Sequence, residues 1–248
     1  MSEFEDGDSA SIPRDEFAIE KLATLRLLGG LFLCLYTGLL YFLSFVGPAF
    51  LVLHFDAVPI PVRVALAVLG YGLAGTTFLF LLIVTKRVLP EVHVGVTNIQ
   101  SKNGQIYFIM GTLTGILEHS PFKSWTLGIS PFSTLYHRCM GARMPSTVLI
   151  GPKTLIFDPW FFEFGNHVAI GTGAIILGHL GHDKDIILGK VRIGEGAVIG
   201  VNAVIFPDVV IGAHARVGAG AVVTRGTVIP DGDIWVGIPA RKAVRRSP

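Results

Sequence analysis

The chain has 248 residues, a formal net charge of +2, 51% hydrophobic residues and only 15% charged ones. That length allows one or two domains, and a charge so near neutral leaves no electrostatic footprint for a nucleic-acid partner. So apolar a composition also excludes a chain that is disordered throughout.

Residues 1–24 read as an acidic disordered tail: the first twenty hold seven acids against Arg14 alone. Residues 25–88 read as a two-helix transmembrane hairpin. Segments 27–53 and 64–84 are uncharged and almost wholly apolar, and each exceeds the roughly 20 residues that cross a bilayer. A cleaved signal is disfavoured by the length of the first span and by the second that follows at once. Gly47-Pro48 predicts a kink near the end of the first span. Arg14, Lys21 and Arg26 precede the hairpin, Lys86 and Arg87 follow it, and the loop at 54–62 has no Lys or Arg. Both ends should then face the cytoplasm, giving a multi-pass protein of the inner (cytoplasmic) membrane.

Residues 89–145 form a connector. Segments 105–117 and 131–140 read as helices, and Phe122, Trp125 and Phe132 suit a membrane surface. A soluble cap on whatever follows is the competing reading, and both stay open. Cys34 lies in the first span and Cys139 in the connector, so neither a disulfide nor a metal spacing is indicated.

From residue 146 to 240 a six-residue beat takes over. Ile193, Ile199, Ile205, Ile211, Val217, Val223, Ile229 and Trp235 recur at every sixth place, with small residues four places later at Ala197, Ala203, Ala215 and Ala221. Neither helix nor simple strand periodicity produces this. Short parallel strands joined by tight corners do, wound as a β-solenoid with the sixth residue inward. Upstream, Ile150 and Ile156 carry the beat, which slips by two residues to Phe164, Ile170 and Ile176. It then breaks until Ile187. The gap, LGHLGHDKDI at 177–186, reads as an extruded loop, the usual seat of chemistry on a rigid scaffold. Residues 241–248 form a basic tail with Arg241, Lys242, Arg245 and Arg246, which suits either a solvated end near anionic lipid or a phosphate contact. No G-x-x-x-x-G-K-S/T occurs, which disfavours P-loop enzymes.

The run VRIGEGAVIGVNAVIFPDVVIGAHARVGAGAVVTRGTVIPDGDIWVGIPARKA at 191–243 resembles the hexapeptide-repeat acyltransferase superfamily. The resemblance implies a left-handed parallel β-helix, assembly as a homotrimer, and active sites between neighbouring subunits. The fold class expected is therefore α + all-β, a transmembrane helical hairpin followed by a left-handed parallel β-helix. HLGHDKDIILGKVRIG from His179, with LYHRCMGARM and VLIGPKTLIFDPWFFEFGNHVAIG upstream, is similar to membrane-associated members such as the terminal domains of poly-lysine synthetase. The chain departs from that pattern at His182 and Asp185.

That superfamily implies a CoA-dependent acyltransferase, here an acetyltransferase, with acetyl-CoA as donor and no metal. A loop histidine takes the acceptor's proton, a task suited to a pKa near working pH. That role carries onto His179, with His182 as the second candidate. Asp158, in FDPW on the preceding coil, is placed to orient the imidazole or bind the acceptor, against the plainer reading of a turn residue before proline. Asp183 reads as a loop brace, Trp160 as either a cleft wall or packing, and His167 and His214 as solvated corner residues. The pantetheine groove carries onto Gly200, Val201, Ala219, Thr224 and Arg225, the last suited to a CoA phosphate. The membrane anchor implies a lipid-linked, glycan or small-molecule acceptor bearing a hydroxyl. Two other functions share the solenoid: a non-catalytic trimeric scaffold, and a zinc enzyme of the γ-carbonic-anhydrase type, which needs three histidines meeting across subunits.

Overall fold

The structure, a computed structural model, describes residues 35–47, 49–50, 59–182 and 185–243. Two compact units divide the chain, residues 1–74 and 75–248. Helix α1 (Leu35–Gly47) belongs to the first unit, and helix α2 (Ile60–Val88) runs from the first into the second. Of the described residues, α2 alone is long and apolar enough to cross a membrane: 29 residues with mean hydropathy 2.1. Its apolar side chains are largely exposed, Val68, Leu69 and Phe80 among them. Of the first expected span, the structure describes α1 and the helical residues 49–50. The remainder of that span, Pro48 with its expected kink, most of the 54–62 loop and the acidic tail lie outside the described residues.

In the second unit the hexapeptide beat produces short strands in three parallel sheets. The first stacks β2 (Leu149–Ile150), β5 (Ala169–Ile170), β10 (Val198–Ile199), β13 (Arg216–Val217) and β16 (Ile234–Val236). The second stacks β3 (Leu155–Ile156), β6 (Ile175–Ile176), β11 (Val204–Ile205) and β14 (Val222–Val223). In the third lie β4 (Phe162–Phe164), β9 (Val191–Ile193), β12 (Val210–Ile211) and β15 (Val228–Ile229). The beat residues fall in register, so Ile150, Ile170, Ile199, Val217 and Trp235 form one inward ladder.

Packing follows from that ladder. Ile176, Ile205 and Val223 are fully buried, while their neighbours Ile175, Val204 and Val222 are only partly so. Each buried Ile or Val contributes about 1.5–3 kcal/mol, and each strand is too short to hold without its stacked neighbours. At the corners Ala197, Ala203, Ala215 and Ala221 are fully buried, because the turns leave room for nothing larger. Gly200 is required by close approach: a Cβ there would lie 2.4 Å from the backbone nitrogen of Ala219.

Both irregularities in the beat fall on one edge of the stack, between the second and third sheets. The two-residue slip becomes a single 3-10 turn, Pro159–Phe161, between β3 and β4. The longer break departs from the expected irregular loop. It forms a hairpin of β7 (His179–His182) and β8 (Asp185–Leu188), which β1 (Gly95–Asn98) joins as a third antiparallel strand. Ile186, Ile187 and Leu188 are buried, which gives the segment an apolar reason to be strand. Asn98 Nδ2 donates to Asp185 Oδ1 at 3.1 Å across the β1–β8 pair. Asp183 lies outside the described residues.

The connector supplies α3 (Lys102–Glu118), α4 (Lys123–Leu127) and α5 (Ser130–Cys139). Helix α3 is capped by Ser101, whose Oγ accepts from Gly104 N at 3.1 Å. Its buried face runs Tyr107, Met110, Leu113, Ile116 and Leu117. Helix α5 docks on the first coil. Ile150 N donates to Ser130 Oγ at 3.0 Å, and Thr134 Oγ1 donates to Val148 O at 3.3 Å. At the other end β17 (Arg241–Lys242) folds back antiparallel on β16, and Lys242 Nζ lies 2.8 Å from Asp233 Oδ1. The basic tail expected from residue 241 therefore begins as strand, and Arg245 and Arg246 lie outside the described residues.

Candidate active site

Asp158 lies two residues beyond β3 and caps the 3-10 turn, with its side chain buried, 1% exposed. One oxygen does two jobs: Asp158 Oδ2 accepts from Gly178 N at 3.0 Å and lies 2.7 Å from His179 Nδ1. Glycine at 178 permits this approach, since a Cβ there would lie 2.9 Å from Asp158 Cβ and 2.8 Å from Phe161 Cδ2. A carboxylate can only accept, so Nδ1 carries the proton and donates, leaving Nε2 with its lone pair free. The His179 side chain is 32% exposed.

Two aromatic rings hold the imidazole. Phe157 meets it edge-on at 6.1 Å and 85°, and Tyr107 of α3 packs at 5.6 Å and 55°. The hydrogen bond that His179 donates to Asp158 raises the His179 pKa above its ordinary value; burial opposes this, and the carboxylate's charge adds to it. Burial first, then the Asp158 charge and hydrogen bond, push the Tyr107 phenol far above its usual range, so it stays protonated.

The structure thus joins His179 with Asp158, whose carboxylate is a buried acceptor and whose backbone also forms the turn before proline, its carbonyl accepting from Phe161 N at 2.9 Å. Residue 182 ends β7, and the side chain of His182 lies outside what is described. His167 and His214 occupy left-handed corners at φ 56° and are exposed. The positions carried over for a donor fall on two separate edges. Gly200, Val201 and Ala219 stack between the first and second sheets, with Gly220 N donating to Val201 O at 2.8 Å. Thr224 and Arg225 lie on the edge that carries Asp158 and the hairpin. Arg225 Nε donates to Asp208 Oδ2 at 3.0 Å, so its charge is already partly answered.

A cleft of about 450 Å³ is lined by Lys86, Met110, Gly141, Trp160, Phe161 and Glu163, among others. Trp160 both lines this cleft and packs against the solenoid core, and its Nε1 is buried with no hydrogen-bond partner among the described residues. Glu163 answers Arg143, Lys190 and Arg192 at 3.6, 3.8 and 3.3 Å. No group of three His, Cys, Asp or Glu side chains able to hold a metal occurs among the described residues. Sequence reasoning missed Tyr107, Phe157 and Gly178. Only the aromatic face of segment 105–117 hinted at the first.

Residues 187–225 match the family described as bacterial transferase hexapeptide (six repeats). The chain carries that repeat. The hexapeptide segment begins within β8, so His179 and Asp158 lie upstream of it. No curated protein matches the chain. Among solved structures, it is similar to a mutant of AntD, an N-acyltransferase from Bacillus cereus in complex with dTDP-4-amino-4,6-dideoxyglucose and coenzyme A. That similarity is 29% identity over 35% of this chain and 53% of that one, with a TM-score of 0.31. A maltose O-acetyltransferase from Clostridium difficile is 20% identical over 36% of this chain and 62% of that one, at a TM-score of 0.33. A hexapeptide-repeat acetyltransferase from Vibrio cholerae is 17% identical over 60% and 94%, at a TM-score of 0.42. The chain spans less than two thirds of the length of the first two.

Proposed function

We propose that this chain is a membrane-anchored acyltransferase that moves an acetyl group from acetyl-CoA to a hydroxyl of a membrane-associated acceptor, with His179 as general base. The observation that carries the reading is the His179–Asp158 pair at 2.7 Å, set on the edge where the hexapeptide coils are interrupted. Its Nδ1–H faces the carboxylate, so Nε2 is the atom left to take a proton. In the reaction, Nε2 accepts the acceptor's hydroxyl proton as that oxygen bonds to the thioester carbonyl carbon. The C–S bond then breaks, and the departing thiolate takes the proton from the imidazolium, which Asp158 stabilises meanwhile. No covalent enzyme intermediate is needed.

The donor lies along Gly200, Val201, Ala219, Thr224 and Arg225, held mainly by backbone groups of the corners. We read the prism as left-handed, and its donor corners lie on two edges, which supports assembly as a homotrimer with each cleft shared by two copies. Helix α2, with Lys86 and Arg87 at its end, supports the anchor and a cytoplasmic solenoid. The multi-pass topology adds the first apolar segment, and the acceptor is a lipid-linked, glycan or small-molecule alcohol.

The test uses membranes carrying the full chain, labelled acetyl-CoA, and the mass of the acylated product. His179→Ala should lower transfer about 10²–10⁴-fold, the usual worth of a general base. Unchanged turnover in a folded His179→Ala protein would remove the assignment, and absence of any transfer by the native chain would leave a scaffold.

A further inference from the structure

Lys86 and Arg87 stand side by side in the last turn of α2, and the fold treats them differently. Arg87 is exposed, the usual state of a cation that ends an apolar helix, while Lys86 is half-buried. The Lys86 ammonium turns back against the chain at Gly141 and Trp160. A Cβ on Gly141 would stand 3.2 Å from Lys86 Nζ and 3.1 Å from Trp160 Cβ. Gly141 has φ 114°, which glycine adopts without strain, and its missing Cβ leaves the ammonium room. Among the described residues, no carboxylate lies within ion-pair distance of Lys86.

Lys86 is part of the lining of the 450 Å³ cleft, which three stretches of chain build. One is the chain from Lys86 to Val94. It is tied to α3, because His93 N donates to Asn103 Oδ1 at 2.8 Å and Asn103 Nδ2 donates to His93 O at 2.9 Å. The second is the first coil, where Arg143 and Glu163 bridge in parallel. The third is Lys190, between β8 and β9. Glu163 Oε1 faces both Arg143, at 3.6 Å, and Lys190, at 3.8 Å, while Oε2 accepts from Arg192 Nε at 3.3 Å. One carboxylate thus serves three cations and leaves Lys86 unanswered. Glu91 is the second carboxylate in the lining, so the cations around the cleft outnumber the acids.

We propose that this cleft is a phosphate site, which takes a terminal phosphate monoester on Lys86, Arg143 and Lys190. A monoester carries about −1.5 to −2 charge at pH 7 and presents three acceptor oxygens, which answers the surplus of cations. Ion pairs as exposed as those of Glu163 hold little, so Arg143 and Lys190 are free to turn to a more highly charged ligand. The cleft falls within the roughly 300–1,000 Å³ of small-molecule sites. The last turn of an apolar helix also lies at the depth of lipid headgroups when the helix spans a bilayer. A phosphate monoester on a lipid and one on a soluble molecule share this chemistry. The site stands apart from the acyl-transfer reading, and its test is binding.

The test titrates the full chain in detergent, followed by native mass spectrometry. Dioctanoyl phosphatidic acid serves as the monoester and dioctanoyl phosphatidylglycerol as the diester. One equivalent of the monoester should bind at least about tenfold more tightly than the diester. Lys86→Gln should weaken the monoester about tenfold, the usual loss of a charge-assisted hydrogen bond, while Arg87→Gln should change it less than about twofold. Glu163→Gln removes the competing carboxylate and should tighten binding about threefold, a gain that damage to the fold does not produce. Excess inorganic phosphate separates the sources: displacement of the lipid assigns a soluble monoester, and retention assigns the lipid. Equal binding of monoester and diester overturns the proposal. So does equal weakening by Lys86→Gln and Arg87→Gln, which marks a diffuse charge effect, and so does weaker binding in Glu163→Gln. Unchanged turnover in His179→Ala would remove the acyltransferase reading and leave these affinities as they are.

Discussion

Asp158 has no competing job at the surface: it is buried, and the oxygen that touches His179 also takes the Gly178 amide. Asparagine can place its Oδ1 where Oδ2 stands and keep both contacts, so Asp158→Asn isolates the charge from the geometry. Without the carboxylate, burial alone acts on His179, and burial lowers an imidazole pKa. The acid limb of kcat/KM should then drop from above about 6.5 to below it. Transfer should weaken about 10²-fold or more, because the imidazolium formed in the transition state loses its counter-charge. A pH–rate profile from pH 5 to 9 checks both. His179 and Asp158 were legible in the sequence because each sits where the hexapeptide beat fails, and a broken period marks inserted chain. Tyr107 was not legible: nothing local to residue 107 announces a partner at 179.

The same contrast holds for whole elements. Strands and corners of the solenoid follow from the beat because every coil meets the same neighbours, so local sequence determines the packing. The hairpin and β1 do not, since their pairing depends on contact between residues 95–98 and 185–188. Helix α5 was expected from sequence as a helix, but its docking on the first coil was left open. One buried group there makes a prediction. His137 is 5% exposed, its Nδ1 bonds Ser133 O at 2.7 Å, and burial lowers its pKa to about 4. Above about pH 6.5 the imidazole is neutral in folded and unfolded chains alike. As pH falls from there towards 4, the unfolded chain binds a proton that the folded helix refuses, and about 3 kcal/mol of stability is lost across that window. His179 acts in the opposite sense, since a raised pKa favours the folded state below about 6.5 and that gain fades as pH rises through the folded value. Hydrogen exchange should therefore show α5 amides losing protection between pH 7 and 5. In His137→Gln, whose amide can still donate to Ser133 O, that loss should shrink to the level of neighbouring helices.

At the scale of the molecule, the question is what one prism cannot do alone. Asp158, His179, Thr224 and Arg225 lie on the edge between the second and third sheets, and Gly200, Val201 and Ala219 on the edge between the first and second. An entire sheet separates these edges, so no single copy can bring both to one thioester. Two copies standing side by side can, and a closed ring lets each copy give one edge to each neighbour. Complementation follows from that geometry. His179→Ala removes the proposed base from one edge. Ala219→Trp fills the other at an exposed corner and leaves the core untouched. Each variant alone should be inactive. Trimers purified from co-expression of the two, by a different tag on each, should regain about a third of wild-type transfer, because every mixed ring of three pairs an intact His179 edge with an intact Ala219 edge at one cleft in three. If both edges of a working site belonged to the same copy, mixing would restore nothing, and silent mixed oligomers would rule out the shared cleft while leaving the His179–Asp158 pair in place.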